Sequence, residues 1–120
     1  MFVVPDVVAA AEYYRDALGF KILSYFQKPP VFASVARDEA EIHLGKTDPG
    51  ALPSPNLTRR RGVGSDAYIW VDDVDALHQE LKARGAKIVE GPVTRVYNCY
   101  ELVVDDLNGY RLVFAGGTAA

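Results

Sequence analysis

The chain has 120 residues, 49% of them hydrophobic and 24% charged, and a formal net charge of -3. Such a chain suits one globular domain that buries roughly two thirds of its unfolded surface, and its composition excludes general disorder. The slight negative charge argues against a nucleic acid partner, and the single cysteine, Cys99, excludes an intramolecular disulfide or a zinc site of several thiolates and points to a reducing cytoplasm.

The first residues, Met1-Phe2-Val3-Val4-Pro5-Asp6, carry no basic region and no long apolar run. Neither an export signal nor a membrane anchor is therefore expected. Phe2 to Val4 reads as a short opening strand. Asp6 is suited to cap a helix, because its carboxylate can accept backbone N–H groups at the positive end of the helix dipole. Val7, Ala11, Tyr14 and Leu18 then recur on one helical face, and Gly19 supplies the left-handed residue that ends a helix. Phe20 to Phe26, Val31 to Ala36 and Ala40 to Leu44 read as strands, separated by turn signals at Lys28-Pro29-Pro30 and Arg37-Asp38-Glu39.

Thr47 to Gly64 is rich in Pro, Gly, Ser and Asn and reads as an exposed connector. Its Arg59-Arg60-Arg61 triplet has two readings, a solvated loop or a lid meeting an anionic ligand. Beyond it the first pattern returns. Asp66 to Val71 is a strand, Asp73 a cap, and Val74, Leu77 and Leu81 a helical face, while Gly85-Ala86-Lys87-Ile88 matches Gly19-Phe20-Lys21-Ile22. Strands are predicted at Lys87 to Val93, Val96 to Asp105 and Tyr110 to Ala115, with a turn at Asn108-Gly109. The fold class is thus α+β: two βαβββ modules in one domain over residues 1–120, module one 1–46, connector 47–64 and module two 65–116.

The stretches "DVVAAAEYYRDALGF" from Asp6, "DVDALHQELKARGAKIV" from Asp73 and "YELVVDDLNGYRLVF" from Tyr100 resemble the vicinal oxygen chelate superfamily of glyoxalases, bleomycin-resistance proteins and extradiol dioxygenases. The match covers nearly the whole chain, and its second half is most similar to the bleomycin-resistance branch. The closing turn, Asp106-Leu107-Asn108-Gly109, has Leu107 where that family has proline. The resemblance implies curved mixed sheets around a cavity, helices outside, and a homodimer with small-molecule sites between modules. It also implies a divalent metal held by side chains of the first and last strands of each module. Here those positions fall on His43, Asp66, Val113 and a point at or before Met1. Val113 cannot ligate, so a metal-free protein is expected, with His43 and Asp66 as the candidate ligands.

Alternation along the strands places Glu41 and His43, then Asp66, Tyr68 and Trp70, then Cys99, Glu101 and Val103, then Arg111 and Val113 on the cavity face. Tyr97 joins them if no bulge intervenes, and Tyr100 is a further candidate wall. The expected ligand-binding set is Tyr68, Trp70, Tyr97, Glu101, Arg111 and His43, suited to stacking on an aromatic or cationic compound. The plainer reading of this stripe is ordinary sheet packing. Glu101 is the best general-base candidate, Cys99 reads more simply as a buried filler, and His78 as a surface residue of the second helix. Three functions stay open: a metal-independent sequestering protein, a metal-dependent lyase, isomerase or dioxygenase using His43 and Asp66, or a protein-contact domain.

Overall fold

The computed structural model describes residues 1–47, Pro55, 65–96 and 98–117. Its elements are β1 (Phe2–Val4), α1 (Val7–Leu18), β2 (Lys21–Phe26), β3 (Phe32–Arg37), β4 (Ala40–Lys46), β5 (Ala67–Val71), α2 (Val74–Arg84), β6 (Lys87–Thr94), β7 (Tyr100–Asp105) and β8 (Arg111–Gly116). Two open four-stranded mixed sheets result, ordered β1-β4-β3-β2 and β5-β8-β7-β6. In each, the first strand pairs parallel with the last, and the remaining pairs are antiparallel. The α+β class and the βαβββ repeat read from the sequence are both present.

Local chemistry accounts for the repeat. Asp6 accepts the Ala9 N–H at 3.0 Å and Asp73 the Ala76 N–H at 2.9 Å, while Gly19 and Gly85 end the helices with φ of 71° and 82°. Both positive φ angles favour glycine, which has no Cβ to clash. The predicted helical faces are the buried ones: Val7, Ala11, Tyr14 and Leu18 on α1, and Val74, Leu77 and Leu81 on α2. They pack on Ala33, Val35, Ile42 and Leu44 of one sheet and Ile69, Leu102, Val104, Leu112 and Phe114 of the other, forming one continuous core.

The largest departure from the sequence reading is at one strand boundary. β7 begins at Tyr100 rather than Val96, because the Arg95 N–H donates to the Cys99 carbonyl and the Asn98 N–H to the Arg95 carbonyl, closing the hairpin first. Val96 is left fully exposed. The connector, with its arginine triplet, lies outside the described residues apart from Thr47 and Pro55.

Polar contacts tie the modules together. Tyr14 donates to the Asp106 carboxylate at 2.7 Å, Tyr110 donates to the Val3 carbonyl at 2.7 Å, and the Phe2 and Tyr110 rings stack at 4.4 Å. On the far side of the helices, Arg37 grips Glu80 through two N–H groups at 2.7 and 2.8 Å and also donates to the Leu18 carbonyl. Hydrogen bonds from Arg37, reinforced by Arg84, hold the Glu80 carboxyl down at about 2. A depressed carboxyl stabilises the fold above its unfolded value, 4.5, and that contribution is lost as pH falls toward about 2. Glu80→Gln is accordingly expected to flatten the pH dependence of the melting temperature across that window, and an unchanged profile would remove this ion pair from the account. Neither helix is long and apolar enough to cross a membrane.

Candidate functional site

The face of each sheet turned away from the helices is fixed by register. In module two, Tyr68 aligns with Val113 and Val113 with Val103, while Trp70 aligns with Ala115 and Ala115 with Glu101. Paired residues share a side of the sheet, so these side chains lie opposite Ile69, Phe114 and Leu102, which face the helices. In module one the same logic aligns His43 with Ser34 and Ser24, and Gly45 with Phe32 and Phe26. Tyr68, Trp70, Glu101, Arg111, Val103, Val113, Glu41 and His43 therefore fall on the faces that strand alternation assigned them.

Tyr100 does not. It shares the helix-facing side with Leu102 and Val104, and its hydroxyl donates to Asp75 on α2. With β7 starting at Tyr100, an even-numbered residue of that strand faces the core and cannot be a cavity wall. Tyr97 lies outside the described residues.

On the module-two face, Tyr68 and Trp70 meet edge to face at 5.5 Å, with Trp70 66% exposed. Beneath them Glu101 is only 2% exposed. Its carboxylate accepts the Tyr68 hydroxyl at 2.5 Å and the Arg95 Nε–H at 2.9 Å, and the Arg95 fork also reaches Glu90 at 2.7 Å. Desolvation, then hydrogen bonding to Glu101 and Cys99, pushes the Tyr68 phenol well up, so it stays protonated and donates. Arg111 donates to Asp105 at 2.9 Å. A cleft of about 300 Å³ beside Trp70 is lined also by Asp38, Glu39 and Asp72. The indole thus sits at an acidic rim.

His43 and Asp66, the candidate metal ligands, line one cleft of about 230 Å³ with Met1, Phe2 and Glu41. Their donors are otherwise engaged: His43 Nε2 meets Glu41 at 2.5 Å, and Asp66 Oδ2 accepts the Arg111 backbone N–H at 2.8 Å. No group of three His, Cys, Asp or Glu side chains converges as metal ligands among the described residues, and Val113 has no donor atom. Among the described residues, the side chains at the positions discussed do not assemble the metal set that the resemblance implies.

Sequence reasoning singled out neither Arg95 nor Glu90. The signal was available, since Arg95 stands six residues before Glu101 across a hairpin, but an arginine in a turn carries no mark of its partner.

Comparison with known proteins adds three findings. The family model for the Glyoxalase/Bleomycin resistance protein/Dioxygenase superfamily matches residues 1–114. Among curated protein sequences no match was found. Similar solved structures include TioX from Micromonospora sp. ML1, with TM-score 0.74 and 19% identity over 97% of this chain and 94% of that one. Two more are TnmS3, an antibiotic binding protein from Streptomyces sp. CB03234 (TM-score 0.65, 22% identity, 98% and 93% covered), and a lactoylglutathione lyase from Agrobacterium tumefaciens (TM-score 0.68, 18% identity, 96% and 88% covered). At these identities the likeness is one of fold.

Proposed function

Since the chain belongs to the Glyoxalase/Bleomycin resistance protein/Dioxygenase superfamily, we propose that it is a metal-independent binding protein of the bleomycin-resistance-like type. It sequesters a small aromatic or cationic compound, in the cytoplasm and as a homodimer, as an antibiotic-resistance protein would. The observation that carries this reading is the exposed Tyr68–Trp70 pair standing over the buried Glu101 carboxylate. An aromatic wall with a carboxylate at its base suits a flat or cationic ligand better than it suits solvent. Asp38, Glu39 and Asp72 add negative charge at the rim.

Dimerisation is supported by what one chain leaves uncovered. Phe26 and Trp70, both on the faces turned from the helices, are 58% and 66% exposed. Apolar surface of this kind marks an interaction site, and a second copy would complete a cavity over it. We expect light scattering to give twice the mass of the chain.

Titration with aromatic glycopeptides and cationic drugs tests the binding. Trp70 is the only tryptophan, so its fluorescence is expected to change on saturation, with a rise in melting temperature. No response across the panel would count against sequestration. Metal analysis of the purified protein separates the enzyme reading: a stoichiometric divalent ion, lost on His43→Ala, would overturn the metal-independent reading in favour of a metal-dependent lyase, isomerase or dioxygenase.

A further inference from the structure

We infer that Arg95 is a built-in competitor for the ligand, a guanidinium of the chain seated on Glu101 where the cationic group of an aromatic ligand binds. The inference rests on the binding reading above and names its ligand class: an amidinium, guanidinium or ammonium carried on a flat aromatic body.

The geometry points to exchange rather than to a permanent bridge. Arg95 lies between two carboxylates of different character. Glu101 has a side chain 3% exposed and Glu90 one that is 52% exposed. A guanidinium that leaves Glu101 therefore keeps its 2.7 Å contact with Glu90 and remains paired in solvent. The backbone holds still while this happens, because the Arg95 N–H and carbonyl are both fixed in the hairpin by Cys99 and Asn98. Only the arginine side chain moves.

Burial supplies the selectivity. Removing a cation from a desolvated carboxylate without replacing it leaves an uncompensated buried charge, which is strongly unfavourable. A neutral aromatic offers no replacement and must bind beside the Arg95–Glu101 pair. A cationic one restores the pair while its ring lies against Tyr68 and Trp70, which meet edge to face on the same side of the sheet. The Tyr68 hydroxyl keeps its hydrogen bond to the other carboxylate oxygen throughout, so Glu101 stays oriented. A tethered guanidinium acts at a high effective concentration, which weakens every cationic ligand by the same competition and leaves neutral ones untouched.

The experiment uses benzamidinium and its neutral isostere benzamide on the full-length protein, followed by Trp70 fluorescence and calorimetry. Arg95→Gln removes the competitor and is expected to tighten benzamidinium roughly tenfold while benzamide changes less than about twofold. Arg95→Lys, which keeps the charge and loses the fork, should fall between, and it decides the matter alone if the glutamine variant does not fold. Unchanged or weaker benzamidinium binding to Arg95→Gln, or equal tightening of both probes, overturns the inference while leaving the binding reading in place. If neither probe binds wild type or variant, both fall.

Discussion

Asp106→Ala is expected to lower stability by about 3–5 kcal/mol and the melting temperature by roughly 10–25 °C. The Asp106 carboxylate is 5% exposed and accepts three hydrogen bonds: from Tyr14 at 2.7 Å, and from the backbone N–H groups of Asn108 and Tyr110 at 2.8 and 2.9 Å. Burial pushes this carboxyl up, and the three donors pull it back. Truncation leaves all three donors without their acceptor in a desolvated place. It also loosens the turn that presents Tyr110 to Phe2 and Val3, so module docking fails with it. Tyr14→Phe removes one donor and should cost about 1.5–3 kcal/mol, since its partner is charged. Chemical denaturation of both variants checks the order. An alanine variant within about 1 kcal/mol of wild type would mean that water substitutes for the carboxylate.

The second large effect is on binding and should leave the fold alone. Trp70→Ala is expected to weaken an aromatic ligand about 30-fold or more, a loss of at least about 2 kcal/mol, as for a tryptophan anchor at a binding hot spot. Stability should move by no more than about 0.5 kcal/mol, because the indole is mostly exposed and touches Tyr68 rather than the core. Calorimetry must replace fluorescence, since the variant has no tryptophan. Trp70→Phe is expected to recover most of the affinity. Equal binding by Trp70→Ala would locate the ligand elsewhere.

Features set by a residue and its near neighbours are legible in the amino-acid sequence alone. Asp6 and Asp73 cap, Gly19 and Gly85 terminate, and the apolar spacing of Val7, Ala11, Tyr14 and Leu18 names the buried face of α1. Strand alternation likewise puts Tyr68, Trp70, Glu101 and His43 on the side turned away from the helices. What stays hidden depends on pairs that sequence does not link. Tyr14 finds Asp106 from the opposite module, and Arg37 finds Glu80 on the second helix. Asp106 reads as a turn residue only, although its carboxylate also joins the modules. The early hairpin closure at Arg95 and Cys99 removes Val96 from its expected strand and leaves Tyr100 bonded to Asp75. Hydrogen bonding by backbone groups decides that boundary, against the β-preference of the side chains.

The parallel pairing of β1 with β4, and of β5 with β8, also bears on the order in which a ribosome can deliver this fold. Each sheet is completed by its own last strand, which lies between the first and third, so module one holds every partner for its ladder once Lys46 has emerged. Tyr14 and Phe2 are different: the groups that receive them, Asp106 and Tyr110, are synthesised only after module one is complete. Until then the finished first module carries an open docking face, which leaves it dependent on a prompt arrival of the second and exposed to the matching module of another nascent chain.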